Sequence, residues 1–126
     1  MKSPLRFLGL LLALIVATTT GLEAQAQKLA SGTWTGKGVD PGGEEFPFTV
    51  EVENTGDSLS MALIGPDGER LALSDIRFNE GKLLFRWEPG VVVNCELSPI
   101  DGGGYSGPCS DDSGGTGQIT ITPPQP

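Results

Sequence analysis

From residue 32 onward, apolar residues recur at every second position in short runs, and turn-forming residues separate the runs. A period of two puts alternate side chains on opposite faces of an extended chain, so each run reads as a strand with one dry and one wet face. The clearest case sets Phe46, Phe48, Val50 and Val52 on one side against Thr49, Glu51 and Glu53 on the other. Before it, Thr33-Trp34-Thr35 between Gly32 and Gly36 predicts a strand whose large inward group is the indole. After it come Leu59, Met61 and Leu63, then Leu71 and Leu73. Between Leu73 and Ile76 the apolar side changes parity, and Phe78 keeps the new parity. One extra residue re-aims every side chain after it, so a β-bulge is expected near Ser74 or Asp75. Leu83, Phe85 and Trp87 predict the next strand, with Leu84 and Arg86 opposite. Val91, Val93, Cys95 and Leu97 follow on one face of a strand over 91–97, then a segment over 105–109, then Ile119 and Ile121.

Turn chemistry fills the gaps. Asp40-Pro41-Gly42-Gly43, Gly65-Pro66-Asp67-Gly68 and Glu88-Pro89-Gly90 join proline, which presets φ, to glycine, and Asn54-Thr55-Gly56-Asp57, Asn79-Glu80-Gly81 and Asp101-Gly102-Gly103-Gly104 supply residues that tolerate positive φ. Residues 111–117 are polar and glycine-rich and read as a loop. Links this short connect neighbouring strands in an antiparallel meander. The expected fold is all-β, a small antiparallel meander barrel of about eight strands, with a two-sheet β-sandwich as the alternative. Closure removes the exposed edges that would recruit another chain. A barrel of such short strands is filled by its own side chains, which leaves little room for a ligand.

The first residues follow a different pattern. Lys2 and Arg6 flank an apolar run over 7–17, and a polar stretch closes on Ala24-Gln25-Ala26. Basic, apolar and small-residue regions in that order predict a signal peptide over 1–26, a β-barrel domain over 27–122 and a stiff proline-rich tail over 123–126. No later segment approaches the roughly 20 apolar residues of a membrane span. The expected location is therefore exported, periplasmic or extracellular. The whole chain carries 8 basic and 16 acidic residues, a formal charge of −8. Without Lys2, Arg6 and Glu23 the balance becomes 6 against 15, or −9. Such a surface repels nucleic acid and anionic membrane, keeps an exported protein soluble, and favours basic partners or bound cations.

Cys95 and Cys109 are the chain's two cysteines. Export favours a disulfide between them over free thiols. If the hairpin turns symmetrically about Gly102, residues whose numbers sum to 204 face each other, which sets Cys95 opposite Cys109 and Leu97 opposite Gly107. There is no Cys-x-x-Cys spacing and no histidine to complete a zinc or redox site.

Candidate chemistry is sparse. Asp112-Ser113-Gly114-Gly115 resembles the nucleophile stretch of chymotrypsin-like proteases, which would make Ser113 the nucleophile. Asp111 stands where that family has glycine, however, and no histidine exists to activate a hydroxyl. Asp111 and Asp112, with Asp101 at the other end of the hairpin, could offer oxygens to calcium, but no helix-loop calcium motif or nonapeptide repeat accompanies them. They read as solvated acidic turns, and no metal or cofactor is expected. Tyr105 follows three glycines at a hairpin mouth and is expected to present an exposed ring. Tyr105, Asp101, Asp111 and Asp112 together form the candidate binding surface.

Gly32-Thr33-Trp34-Thr35-Gly36 resembles the opening of several barrel families. Lipocalins carry Gly-x-Trp on their first strand, matched here by Gly32, Thr33 and Trp34, and avidins begin similarly. Lipocalins also have a late arginine that covers the tryptophan, whereas no arginine follows Arg86 here. In size and organisation the chain is similar to exported bacterial metalloprotease inhibitors, in which the segment before the barrel enters the protease cleft. That resemblance would assign this role to residues 27–31, although the family's disulfide joins earlier parts of the chain. Small β-domains that precede some exported hydrolases also open on Gly-x-Trp-x-Gly. These readings imply an exported noncatalytic domain that binds an exported protein or envelope component. A small-molecule carrier and a protease inhibitor are the alternatives, and an enzyme is the least favoured class.

Overall fold

The computed structural model describes residues 29–125, so the signal-peptide expectation lies outside the described residues. Nine strands follow one another along the chain: β1 (Gly32–Val39), β2 (Glu45–Asn54), β3 (Leu59–Ile64), β4 (Arg70–Ala72), β5 (Ser74–Asn79), β6 (Lys82–Trp87), β7 (Val93–Pro99), β8 (Tyr105–Asp111) and β9 (Thr116–Thr122). All neighbours are antiparallel, in the order β4-β3-β2-β1-β9-β8-β7-β6-β5. First and last strands pair through Thr35↔Thr122 to Val39↔Gln118, which rolls the meander into a nearly closed barrel. The sandwich alternative is thereby set aside.

Closure at the far side runs through a bent strand rather than a continuous ladder. β4 pairs with β3 and β5 pairs with β6, and Leu73 alone separates β4 from β5. Its amide donates to the Met61 carbonyl at 2.9 Å. The expected count of about eight strands thus becomes nine because one run changes partner at Leu73. The expected bulge is present beside it. Ser74 pairs with Arg86 and Arg77 with Leu84, so Asp75 and Ile76 stand against Phe85 alone. Asp75 has φ 53°, and the Arg77 guanidinium bonds its carbonyl at 2.8 Å and its carboxylate at 2.9 Å.

The inward side chains fill the barrel. Trp34, Leu83, Leu97 and Ile121 are fully buried at its centre, surrounded by Phe48, Val50, Val52, Met61, Phe85 and Ile119. Glycines on β1 make room for two large rings of β2. A Cβ on Gly36 would stand 2.2 Å from Phe48 Cε2, and one on Gly38 would stand 2.4 Å from Phe46 Cζ. Each glycine pairs with the phenylalanine that covers it, which bends the wall and packs it at once.

The β7–β8 hairpin carries the disulfide between Cys95 and Cys109. Its observed pairs, including Val93↔Asp111, Cys95↔Cys109, Ser98↔Ser106 and Pro99↔Tyr105, keep the register that symmetry about Gly102 predicts. Strand bounds differ from expectation at two places. β7 begins at Val93 rather than Val91, because loop 88–92 is longer than a tight turn and Gly90 adopts φ 116° within it. The loop expected over 111–117 contracts to 112–115, since Thr116 pairs with Ser110 and Gly117 with Cys109.

Candidate functional site

The two ends of the barrel are built differently. At one end, residues 29–31 fold under the first strand as a cork. Leu29 is 0 % exposed. The Trp34 indole donates to the Ala30 carbonyl at 2.8 Å, and the Asn54 side-chain amide donates to the Leu29 carbonyl at 2.9 Å. The Asn54 backbone N–H donates to the Ser31 hydroxyl at 2.8 Å. Buried indole N–H groups require such a partner, and this one locks the segment to β1 and β2. These bonds tie residues 29–31 to β1 and β2.

The other end is open. There, loops 40–44, 88–92 and 112–115 surround a bowl of about 200 Å³. Phe46 from β2, Trp87 from β6, Val93 from β7, Cys109 from β8 and Ile119 from β9 form its walls, while Pro41, Pro89 and Val91 form its lip. Val91 at the lip is 44 % exposed, and Ile100, in the loop at the corked end, is 40 % exposed. Among the described residues, the Trp87 indole nitrogen is a buried donor without a hydrogen-bond partner. A donor left so costs roughly 1–3 kcal/mol, which makes it a feature that calls for a physical reason. A shallower hollow of about 480 Å³ lies against the same loop, between Glu88, Gly90, Val91, Val92, Asp112 and Ser113.

Charge around the open end has one sign. The four loops there, 40–44, 65–69, 88–92 and 112–115, hold six acidic residues and no lysine or arginine. The described cations are engaged on the strands instead: Lys37 with Glu45 at 2.8 Å, Arg70 with Glu51 at 2.6 Å, Arg77 with Asp75, and Lys82 with Glu96 at 3.7 Å. Arg86 donates to the Asn94 carboxamide at 3.3 Å. The Glu45 carboxylate, by hydrogen bond and charge, raises Lys37 above the usual lysine value.

The four residues expected to form one binding surface do not converge. Tyr105 and Asp101 lie at the corked end, Asp111 and Asp112 at the open end. The expected exposure of Tyr105 is corrected: it is 6 % exposed, its ring stands 6.3 Å from that of Phe78, and burial raises its hydroxyl above the usual tyrosine value. Gly104 just before it lets the backbone approach β9, where a Cβ would stand 2.5 Å from the Ile121 carbonyl oxygen. Asp111 is a turn anchor. Its Oδ1 accepts from the Ser113 hydroxyl at 2.8 Å, the Gly115 amide at 2.8 Å and the Ser113 amide at 2.9 Å. The Ser113 hydroxyl first, then the Gly115 amide, hold this carboxyl below the usual aspartate range. Ser113 thus donates a hydrogen bond to a loop-forming aspartate whose lowered carboxyl is a poor base for generating a nucleophile.

Alternation alone puts Trp87 and Val91 on inward strand faces, as core. Two loop prolines, Pro41 and Pro89, flanking exposed valine were the available sign that this end differs, but only the register brings them together. Comparison with known proteins adds the fold. No protein-family model matches the sequence, and a search of curated proteins gives no match. Among solved structures, a redesigned β-barrel is similar with a TM-score of 0.60 at 14 % identity, over 80 % of this chain and 96 % of that one.

Proposed function

We propose that this chain is an exported, noncatalytic binding domain that takes its ligand at the open end of the barrel, among loops 40–44, 88–92 and 112–115. The carrying observation is the contrast between the ends: one is closed by Leu29 and its hydrogen bonds, the other holds an apolar bowl with Val91 at its lip. Exposed apolar surface rimmed by polar groups is the usual form of an interaction site. The disulfide suits a non-reducing compartment, periplasmic or extracellular, in keeping with the signal-like N-terminus. The absence of histidine from the sequence and the role of Asp111 as a loop anchor favour binding over catalysis.

The test is retention of an exported or envelope component on immobilised protein, comparing wild type, Val91→Glu at the open end and Asp101→Ala at the corked end. Wild type and Asp101→Ala are expected to retain the same component, and Val91→Glu to lose it. Equal retention by all three variants would remove the open end from the binding function.

A further inference from the structure

Two hollows meet at the open end and share one residue. The apolar bowl of about 200 Å³, walled by Phe46, Trp87, Val93 and Ile119, and the shallower hollow of about 480 Å³ lined by Glu88, Val92, Asp112 and Ser113 both run up to Val91. A dry cavity of about 150 Å³ lined by aliphatic and aromatic groups holds a benzene-sized molecule, so the bowl has room for one phenyl ring or large aliphatic side chain. The neighbouring hollow adds a polar shelf beside that anchor point. Charge around both is uncompensated. Asp40 is tied into its own turn, accepting from the Gly42 amide at 3.0 Å and the Glu44 amide at 2.9 Å. Glu44, Glu88 and Asp112 are exposed, and among the described residues their carboxylates meet neither a hydrogen-bond donor nor a cation. On the strands, by contrast, Glu45, Glu51, Asp75 and Glu96 each face a lysine or arginine.

Resting on the reading of the open end as the binding site, we infer that its occupant is a basic segment of an exported protein: one aromatic or large aliphatic side chain seats in the bowl, and a lysine or arginine beside it in sequence lies over the hollow lined by Glu88 and Asp112. A small-molecule site buries most of its ligand, whereas this one is open, and its exposed lip at Val91 is covered only by a partner that extends across it. Two adjoining concavities of different polarity match a chain whose apolar anchor is followed by a charged neighbour. Free carboxylates around an apolar centre favour a cationic partner and reject an acidic one. The same charge disfavours a second copy of this chain, whose open end repeats the six acidic loop residues.

Short peptides test this by NMR titration of the full, oxidised protein, with the Trp34 indole N–H, held by the Ala30 carbonyl at the corked end, reporting that the fold is intact. Three blocked peptides are compared, with the centres Lys-Phe-Lys, Glu-Phe-Glu and Lys-Ser-Lys between terminal glycines. Lys-Phe-Lys is expected to move the methyl signals of Val91 and Ile119 and to bind at least about tenfold more tightly than Glu-Phe-Glu, the factor that reversing two exposed charges supplies. Lys-Ser-Lys is expected to bind at least about tenfold more weakly than Lys-Phe-Lys, the worth of burying one phenyl side chain. Raising salt from about 0.01 M to about 1 M, which shortens the screening length from about 30 Å to about 3 Å, should remove most of the preference for Lys-Phe-Lys over Glu-Phe-Glu. Glu88→Gln with Asp112→Asn, at exposed positions, should lower that preference at least about threefold. Asp57→Asn with Asp101→Asn at the corked end removes the same net charge and should leave the preference unchanged. Equal affinity for Lys-Phe-Lys and Glu-Phe-Glu, equal affinity for Lys-Phe-Lys and Lys-Ser-Lys, or an equal effect of the two variant pairs would overturn the inference. So would dimerisation of the protein alone that Val91→Ser abolishes, which would put a second copy in the bowl. If the peptides show no preference while Val91→Glu still abolishes retention of the exported component, the partner chemistry is wrong and the open-end site stands; if Val91→Glu retains the component as wild type does, the open end itself is not the site.

Discussion

Removing the disulfide by Cys95→Ala with Cys109→Ala is the perturbation whose size follows most directly from the structure. The two residues are separated by 14 positions, and the cross-link closes a loop of about 15 residues in the unfolded chain. In the chain-entropy model that closure contributes roughly 3 kcal/mol. In the folded state the same hairpin keeps its register without the bond, because Val93↔Asp111 on one side and Pro99↔Tyr105 on the other are backbone pairs. The loss should therefore fall on stability and leave the fold intact. A domain of roughly 100 residues has an unfolding entropy near 0.2 kcal/mol per kelvin, so the expected fall in Tm is about 15 °C. Circular dichroism should show an unchanged native spectrum and the lower midpoint, and urea titration should show a larger m value as the unfolded chain expands. Wild type unfolded and refolded in reductant is the control for the two missing sulfur atoms, which are buried in the native barrel. A fall in Tm of less than about 5 °C, corresponding to roughly 1 kcal/mol, would refute the argument. So would an altered native spectrum, since the bond would then be holding the register rather than restricting the unfolded state.

Two further outcomes are expected. Gly36→Ala should cost about 1–3 kcal/mol by forcing its methyl into the Phe48 ring, and Phe48→Leu in the same chain should recover part of that loss; simple additivity in a thermal double-mutant cycle would sink the packing account. Asp111→Asn should destabilise the domain more at pH 7 than in acid: the lowered carboxyl contributes stability that is fully present above its ordinary value of 3.8 and is lost as pH falls through the folded value, so urea midpoints that differ equally at pH 7 and in acid would exclude a charge effect.

Much of the barrel was legible because its determinants are local. Alternation of Phe46, Phe48, Val50 and Val52 fixes which face of β2 is dry, the parity change after Leu73 fixes a bulge, and the glycines after Asp101 fix the pairing of Cys95 with Cys109. What escaped depends on partners distant in sequence. Thr116 and Gly117 look like loop residues by composition, yet their backbone groups extend the ladder set by Ser110 and Cys109. Val91 has the parity of a strand residue, but the Asp112 amide bonds the Val92 carbonyl at 3.2 Å and holds that segment as part of the lip. Tyr105 sits after a flexible turn, where exposure is the ordinary expectation; its inward course is decided by Phe78 from another strand. No local pattern distinguishes the walls of the bowl from core, because inward positions near the end of a strand alternate just as those at its centre do.

The difference between the ends also resolves the departure at Trp34. A tryptophan on the first strand of a small barrel needs a cover for its apolar ring and an acceptor for its N–H, and the lipocalin solution, a late arginine, is missing after Arg86. Here both needs are met from the other direction along the chain: Ala30 supplies the acceptor and Leu29 sits fully buried in the same core, only four and five residues upstream. A cover so near in sequence requires no long-range pairing. The second tryptophan, Trp87, has the opposite fate. At the end where loops rather than a cork meet, its indole finds no acceptor among the described residues, and the apolar groups around it include an exposed valine. Tryptophan is thus hydrogen-bonded to the chain at one mouth of the barrel and left without an acceptor at the other, and that asymmetry, rather than any motif, is what directs the search for a ligand to the end lined by Pro41, Pro89 and Val91.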